Sequence, residues 1–265
     1  MFRHTARKRF GQNFLHDQNI IANIIDSIAL QDSDHVVEIG PGQGALTRHL
    51  LSSCCQLDAI EIDRDLADYL QRTYADDKRF TLHRADILKF DLGQLTQRKN
   101  ALRIIGNLPY NISTPCLFHL LQYGHLIKDM TFMLQLEVVQ RLSAQVGDKS
   151  YGRLGLMVQY YCQVQPLFKV PSSAFTPKPK VVSAVVRLIP HQRLPVRAKD
   201  VDCLKNVIRT AFTMRRKTLK NSLKGLISVD ELNQLPINIT LRPENLSLEE
   251  YILISDSIST GSSAQ

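Results

Sequence analysis

The stretch Asp34-His35-Val36-Val37-Glu38-Ile39-Gly40-Pro41-Gly42-Gln43-Gly44-Ala45-Leu46-Thr47 decides the fold. Residues 34–39 read as a strand that stops at Gly40. The glycine-rich turn that follows opens a helix over residues 47–53. Glycines at such a turn let the backbone approach a ligand closely, and the helix N-terminus beyond them favours negative charge.

Outward from this turn the same alternation repeats. Residues 57–62 read as a second strand and 64–73 as a helix; residues 80–83 and 102–105 read as further strands, with a helix over 113–121. A fifth strand is expected over 130–136, and further β-like runs at 156–164 and 182–188. Strand–helix alternation implies an α/β, Rossmann-like domain, with a mostly parallel sheet covered on both faces. The last β-like runs lack intervening helices, so they are expected to add antiparallel strands at one edge. The segment Ile189 to Asp200 holds Pro190 and Pro195 and no periodic pattern, which places a domain boundary there: residues 1–190, then 191–265. Helical patterns over 201–212, 215–223 and 248–258 make the second part a small, all-helical C-terminal domain, with a small polar tail over 259–265 expected to fray.

The chain has 265 residues, 44% hydrophobic and 22% charged, which supports a real core and argues against disorder. No apolar run approaches the roughly 18 residues of a membrane span; residues 20–30 come closest, interrupted by Asn23, Asp26 and Ser27. Residues 1–10 are basic but lack the hydrophobic stretch and cleavage site of a signal peptide. The five cysteines (Cys54, Cys55, Cys116, Cys162, Cys203) form no C-x-x-C pair, so neither a metal site nor a disulfide framework is expected, and free thiols point to the cytoplasm. The net charge of +8 suggests a polyanionic partner. Two clusters carry much of it: Arg3, Arg7, Lys8 and Arg9 before the first acid, and Arg215, Arg216, Lys217, Lys220 and Lys224.

Gly40, Gly42 and Ala45 fit the dinucleotide pattern G-x-G-x-x-G/A, so the turn by itself leaves NAD and S-adenosylmethionine both open. Glu61 and Asp63 end the second strand, where an acid accepts both hydroxyls of a ribose. Asp86 follows the third strand and can accept from an adenine amino group; it is equally a common turn or cap residue.

After the fourth strand comes Asn107-Leu108-Pro109-Tyr110. It can be an ordinary turn, but it lies at the fourth strand end in a row with special residues. Adenine's exocyclic amine is a poor nucleophile because its lone pair is delocalised into the ring. Acceptors around its N–H groups pull the nitrogen toward tetrahedral geometry and stabilise the charge that develops on methylation. The Asn107 oxygen and the Leu108 carbonyl are candidates, with Pro109 fixing the backbone and Tyr110 offering a ring for an unstacked base. No general base is obvious, and none is required, because the methylated nitrogen is acidic enough to lose its proton to water.

This tetrapeptide resembles the (Asp/Asn/Ser)-Pro-Pro-(Tyr/Phe/Trp) signature of amino-group methyltransferases, in the form carried by the ribosomal RNA adenine dimethyltransferase family. The resemblance extends over nearly the whole chain. It takes in Gln12-Asn13-Phe14-Leu15, the glycine turn, Glu61-Ile62-Asp63, Asp86 and Phe175-Thr176-Pro177-Lys178-Pro179-Lys180-Val181, and ends in Ala211-Phe212-Thr213-Met214-Arg215-Arg216-Lys217-Thr218-Leu219-Lys220-Asn221. It implies a class I methyltransferase domain using S-adenosylmethionine and releasing S-adenosylhomocysteine. Asn13 and Leu15 would close over the cofactor, with Gly40 and Gly42 packing against it. Glu61 with Ile62 would hold the ribose, and Asp86 with Ile87 the adenine. Asn107, also counted among the cofactor-binding residues, would engage the target amine with Leu108, and Tyr110 and Phe175 would stack on the target base; a buried aromatic under a proline-rich loop is the other reading of Phe175.

The implied reaction is dimethylation of two adjacent adenosines in the hairpin loop near the 3′ end of 16S rRNA, by a monomer acting on the immature small ribosomal subunit. Such loops are where bases can be splayed out. Arg7, Lys8, Arg9, Lys178, Lys180, Arg215, Arg216, Lys217 and Lys220 would grip the RNA backbone. A 23S rRNA adenine methyltransferase shares these motifs, but the Phe-Gly-Gln-Asn-Phe-Leu start and the Arg-Arg-Lys-Thr-Leu-Lys-Asn run favour the 16S type. A noncatalytic RNA-binding assembly factor would not need Asn107 and Tyr110. An NAD-dependent oxidoreductase has no use for the tetrapeptide or the basic ends.

Overall fold

The structure, a computed structural model, describes residues 12–53 and 56–261. These form two compact units: residues up to 139 with 162–190, and residues 140–161 with 191 onward. The sequence puts a single crossing at 190; the chain also crosses at 139 and 161, so residues 140–161 belong with the helical part.

The first unit is built on a seven-stranded sheet. In chain order its strands are β2 (His35–Ile39), β3 (Gln56–Glu61), β4 (Phe80–Arg84), β5 (Leu102–Asn107), β6 (Ile127–Gln135), β7 (Cys162–Val170) and β9 (Ser183–Pro190). In space they run β4-β3-β2-β5-β6-β9-β7. The first five are parallel, and β9 and β7 are antiparallel additions at one edge. Two further short strands, β1 (Phe14–Leu15) and β8 (Phe175–Thr176), pair antiparallel with each other. Val36, Val37 and Ile39 of β2, Leu57, Ala59 and Ile60 of β3, and Leu102, Ile104 and Ile105 of β5 are all buried. Such unbroken burial is what a parallel sheet covered on both faces requires. The strand order reverses direction between β2 and β5, the switch point where open α/β sheets leave a crevice beyond the strand ends.

Residues 20–30, read above only as too polar for a membrane span, lie mostly in the amphipathic helix α1 (Gln18–Ile28). Asp17 caps it through the Asn19 and Ile20 amides, and Ile21, Ile24 and Ile28 turn one face into the core. Among the described residues no helix is long and apolar enough to cross a membrane.

Two helix–strand expectations are corrected. Residues 153–161 form a helix, α6 (Arg153–Tyr161), and only from Cys162 does the run become strand. Gly155, Leu156, Met157, Val158 and Tyr160 are all buried, so near-continuous burial hides the helical period. A Cβ on Gly155 would stand 2.3 Å from the Arg141 carbonyl oxygen, a contact only glycine permits. In the second unit, the helix expected over 215–223 shrinks to α8 (Leu219–Ser222). The amides of Leu219 and Lys220 donate to the carbonyls of Leu241 and Ile239, not to residues one turn back.

The rest of the second unit is helical. Its main pieces are α7 (Val201–Thr213), α9 (Val229–Asn233) and α10 (Leu248–Gly261). Asp200 caps α7, and Leu204, Val207, Ile208 and Ala211 form its buried face. The Tyr251 hydroxyl donates to the Pro243 carbonyl at 2.7 Å, and that of Tyr151 to the Leu246 carbonyl at 2.9 Å, so both buried phenols are satisfied. The helix α10 runs past 258 to Gly261; the last four residues of the expected tail, residues 1–11, and Cys54 and Cys55 lie outside the described residues.

Candidate active site

A cavity of about 230 Å³ opens beyond the C-terminal ends of β2, β3, β4 and β5, wholly within the first unit. From the N-terminal segment, Asn13 and Leu15 reach it; from the glycine turn, Gly40 and Gly42. The ends of β3 and β4 add Glu61, Ile62, Asp86 and Ile87, and the turn after β5 adds Asn107 to Tyr110. Four strand ends and one strap thus converge on one space.

Gly40, Gly42 and Gly44 all have positive φ (64°, 59° and 79°), the left-handed region that favours glycine. A Cβ on Gly40 would meet no atom within 4 Å and would enter open space, whereas one on Gly42 would press on the Phe14 ring at 3.3 Å. Glu61 is 4% exposed. Its Oε2 accepts from the Gly42 amide at 3.1 Å and its Oε1 from the Asp63 amide at 2.8 Å. Each oxygen keeps a lone pair for a further donor, which suits a diol. Burial raises the Glu61 carboxyl above its ordinary range, against these two bonds. Asp86 caps the short 3-10 turn Ile87–Lys89 through the Leu88 amide at 3.0 Å and also lines the cavity.

The side-chain amide of Asn107 donates from Nδ2 to the Asn13 carbonyl at 3.0 Å. Only the NH₂ end of an amide can face a carbonyl, so this bond fixes which way the side chain points. Among the described residues Oδ1 has no donor, and neither has the Leu108 carbonyl. Asn107 and Leu108 both belong to the cavity lining. The Leu108 side chain is buried, and its amide donates to the Met133 carbonyl at 3.3 Å. Tyr110 lines the cavity while its hydroxyl meets Ser183 Oγ at 2.9 Å. The end of β5 packs closely against β2: a Cβ on Gly106 would lie 2.8 Å from the Ile39 carbonyl oxygen. Gly106→Ala is therefore expected to cost about 1–3 kcal/mol by forcing β2 and β5 apart; a urea midpoint equal to the parent's would contradict that close approach.

Phe175 is placed elsewhere. It is 3% exposed, pairs with Leu15 across β1 and β8, and belongs to the core cluster that includes Ile21, Leu50 and Val185. It is not among the residues that line the cavity, and its ring packs in the core, as the other reading of it had it. Lys178 and Lys180 are exposed beside buried Pro179. In the second unit Arg216, Lys217 and Lys220 are exposed, whereas Arg215 is half-buried with Nε 3.5 Å from Glu244 Oε2. Arg7, Lys8 and Arg9 lie outside the described residues.

One residue at the cavity was missed. Glu38 is 2% exposed, lines the cavity and accepts from the Thr47 hydroxyl at 2.7 Å. Its signal was a lone carboxylate inside an otherwise apolar strand. Burial pushes it up from 4.5 to about 7, with the Thr47 bond opposing and the Glu61 charge adding. A folded-state value above the unfolded one means that folding takes up a proton between about 4.5 and 7, so Glu38 destabilises the ligand-free fold as pH rises through that window. Glu38→Gln keeps an oxygen for Thr47 and should flatten this part of the curve. Urea midpoints at several pH values check it, and parallel curves for parent and variant would contradict the assignment.

Comparison with known proteins points one way. The sequence profile described as Ribosomal RNA adenine dimethylase matches residues 3–260. A protein of Marinobacter nauticus named Ribosomal RNA small subunit methyltransferase A is 53% identical over 253 residues, covering 96% of this chain and 91% of its own. A protein of the same name from Saccharophagus degradans is 54% identical over 255 residues, with 96% and 95% covered. Among solved structures, a dimethyladenosine transferase from Plasmodium falciparum superposes with a TM-score of 0.77 at 26% identity, over 94% of this chain and 97% of that one. The 23S rRNA methyltransferase ErmE shares the fold, with a TM-score of 0.72 at 24% identity over 93% and 100%.

Proposed function

The chain belongs to the ribosomal RNA adenine dimethylase family, and from that premise we propose that it transfers methyl groups from S-adenosylmethionine to N6 of two adjacent adenosines in the 3′-terminal hairpin loop of 16S rRNA. The substrate is the RNA of an immature small subunit, and the enzyme works as a monomer in the cytoplasm. The relatives over 50% identical are named for the small subunit, which favours 16S over 23S rRNA.

The observation that carries the chemistry is the Asn13–Asn107 bond, which spends Nδ2 and leaves Oδ1 as the free acceptor of a cavity-lining residue; the Leu108 carbonyl is the second acceptor in this reading. Accepting from both N–H groups of an adenine amine draws its lone pair out of conjugation and stabilises the cation formed as the nitrogen is methylated. When bound, S-adenosylmethionine supplies the electrophilic methyl group. The residues present fit it: open space at Gly40, a spare lone pair on each Glu61 oxygen for the ribose hydroxyls, and Asp86 with Ile87 for an adenine. Glu38 adds a buried acid whose ionisation a cationic ligand would favour. Tyr110 is the platform on which the extruded base stacks. Lys178, Lys180, Arg216, Lys217 and Lys220 hold RNA backbone, with Arg7, Lys8 and Arg9 from the N-terminal segment. Arg215 contributes less, because Glu244 already engages it.

The choice of RNA is tested by offering small-subunit particles and 23S rRNA together with labelled cofactor. Label is expected in the small-subunit RNA; label confined to 23S rRNA would move the assignment to the large subunit.

A further inference from the structure

We propose that Ser183, outside the cavity, is a positioning residue that holds the Tyr110 ring in register for the target base. The inference rests on the reading of Tyr110 as the stacking platform. Tyr110 is on a turn, not on a regular element, and a ring on a turn is free to swing unless something holds it. Here Tyr110 is held at its backbone and at the tip of its ring. Its carbonyl accepts from the Ser113 hydroxyl at 3.1 Å, and its phenol meets Ser183 Oγ at 2.9 Å.

Ser183 makes a fixed post. It is 1% exposed and opens β9, where it pairs with Gln135 of β6 on one side and Val170 of β7 on the other. The position of its hydroxyl is therefore set by strand register. The chain separation of 73 residues shows that this is a tertiary contact and not a local turn. A platform anchored in this way binds a base without first losing rotamer freedom, which is how preorganisation helps a weakly bound group. The hydroxyl pair does not touch the reacting atoms, so its effect must pass through the ring.

The test is a cycle of Tyr110→Phe, Ser183→Ala and the double variant, with Tyr110→Ala as control. Each of the first two removes the same bond from one end. The expected result is a five- to tenfold fall in kcat in either one, about the factor of one neutral hydrogen bond, and no further fall in the double variant. Cofactor Kd should stay at the parent value, Tm should fall by only about 2–4 °C, and 2-aminopurine at the target position should show weaker stacking quench in both single variants. If Ser183→Ala perturbs folding, Tyr110→Phe, with Ser183 intact, carries the test alone. Tyr110→Ala inactive beside fully active Tyr110→Phe and Ser183→Ala would overturn the positioning role and leave the platform standing. Fully active Tyr110→Ala would overturn the platform reading, and the inference with it.

Discussion

Asn107→Ala is expected to lower turnover by about 10²- to 10³-fold, the loss typical of removing one group aimed at developing charge. Cofactor affinity should change little. The asymmetry follows from geometry: the amide spends Nδ2 on the Asn13 carbonyl and leaves Oδ1 at the cavity, whereas the ribose and adenine groups of the cofactor are assigned to Glu61 and Asp86 on other strands. Asn107→Asp is the sharper probe. A carboxylate has no hydrogen to give the Asn13 carbonyl, so it keeps an acceptor but loses the bond that aims it. Both variants should therefore fail, and for different reasons. Single-turnover kinetics beside cofactor titration separates chemistry from binding; Asn107→Ala with near-parent turnover would remove Asn107 from the mechanism.

The largest effect on stability is expected at the opposite end of the same strand. Arg103 of β5 is 4% exposed. Its Nε and Nη2 donate to Asp129 at 2.9 and 2.7 Å, and its Nη1 to Asp34 at 2.7 Å. The guanidinium also caps α1, donating to the carbonyls of Ile28 at 2.6 Å and Ala29 at 3.3 Å. One residue thus closes a helix C-terminus, satisfies two buried carboxylates and ties both to the sheet. Arg103→Met would leave Asp129 buried without its partner, and is expected to cost about 3–5 kcal/mol, a large share of a typical total of about 5–15 kcal/mol. Asp34 keeps Lys128 at 2.9 Å, so the Asp129 half of the loss should dominate. Arg103→Met with Asp129→Leu should recover part of it, since an apolar pair of similar volume needs no compensation. Urea unfolding measures both, and a loss below about 1 kcal/mol in the single variant would contradict the assignment.

The network also has a pH signature. Although burial pushes it up, bonds from the Gln31 amide, Lys128 and Arg103 hold the Asp34 carboxyl below its ordinary 3.8. Stability from this carboxyl is present above that value and is lost as pH falls through the lower folded one. Its sign is opposite to that of Glu38, and the windows do not overlap.

What could be read without coordinates was local. The glycine turn announces itself because strand, left-handed backbone and helix start are adjacent in the chain, and Asn107–Tyr110 because its chemistry is carried by neighbouring residues. Four of the five parallel strands were legible for a similar reason, because burial on both faces leaves short runs rich in apolar residues; β4, at the sheet edge, is only partly buried. What depends on strand register was not. Nothing near Arg103 in the chain announces Asp34, Asp129 and the end of α1, which lie up to 75 residues away. The Ser183 contact to the Tyr110 hydroxyl and the burial of Phe175 in the core follow from strand pairing in the same way, not from neighbours in the chain. The strand expected over 156–164 holds only from Cys162, because α6 before it is buried around most of its circumference, which erases the period that identifies a helix.

The most direct measurement is the identity of the modified nucleoside. The protein is incubated with labelled S-adenosylmethionine and immature small subunits, and the RNA is digested and resolved. N6,N6-dimethyladenosine at two adjacent positions is the predicted result. RNA that is bound but carries no methyl group on an adenine amine would contradict the account.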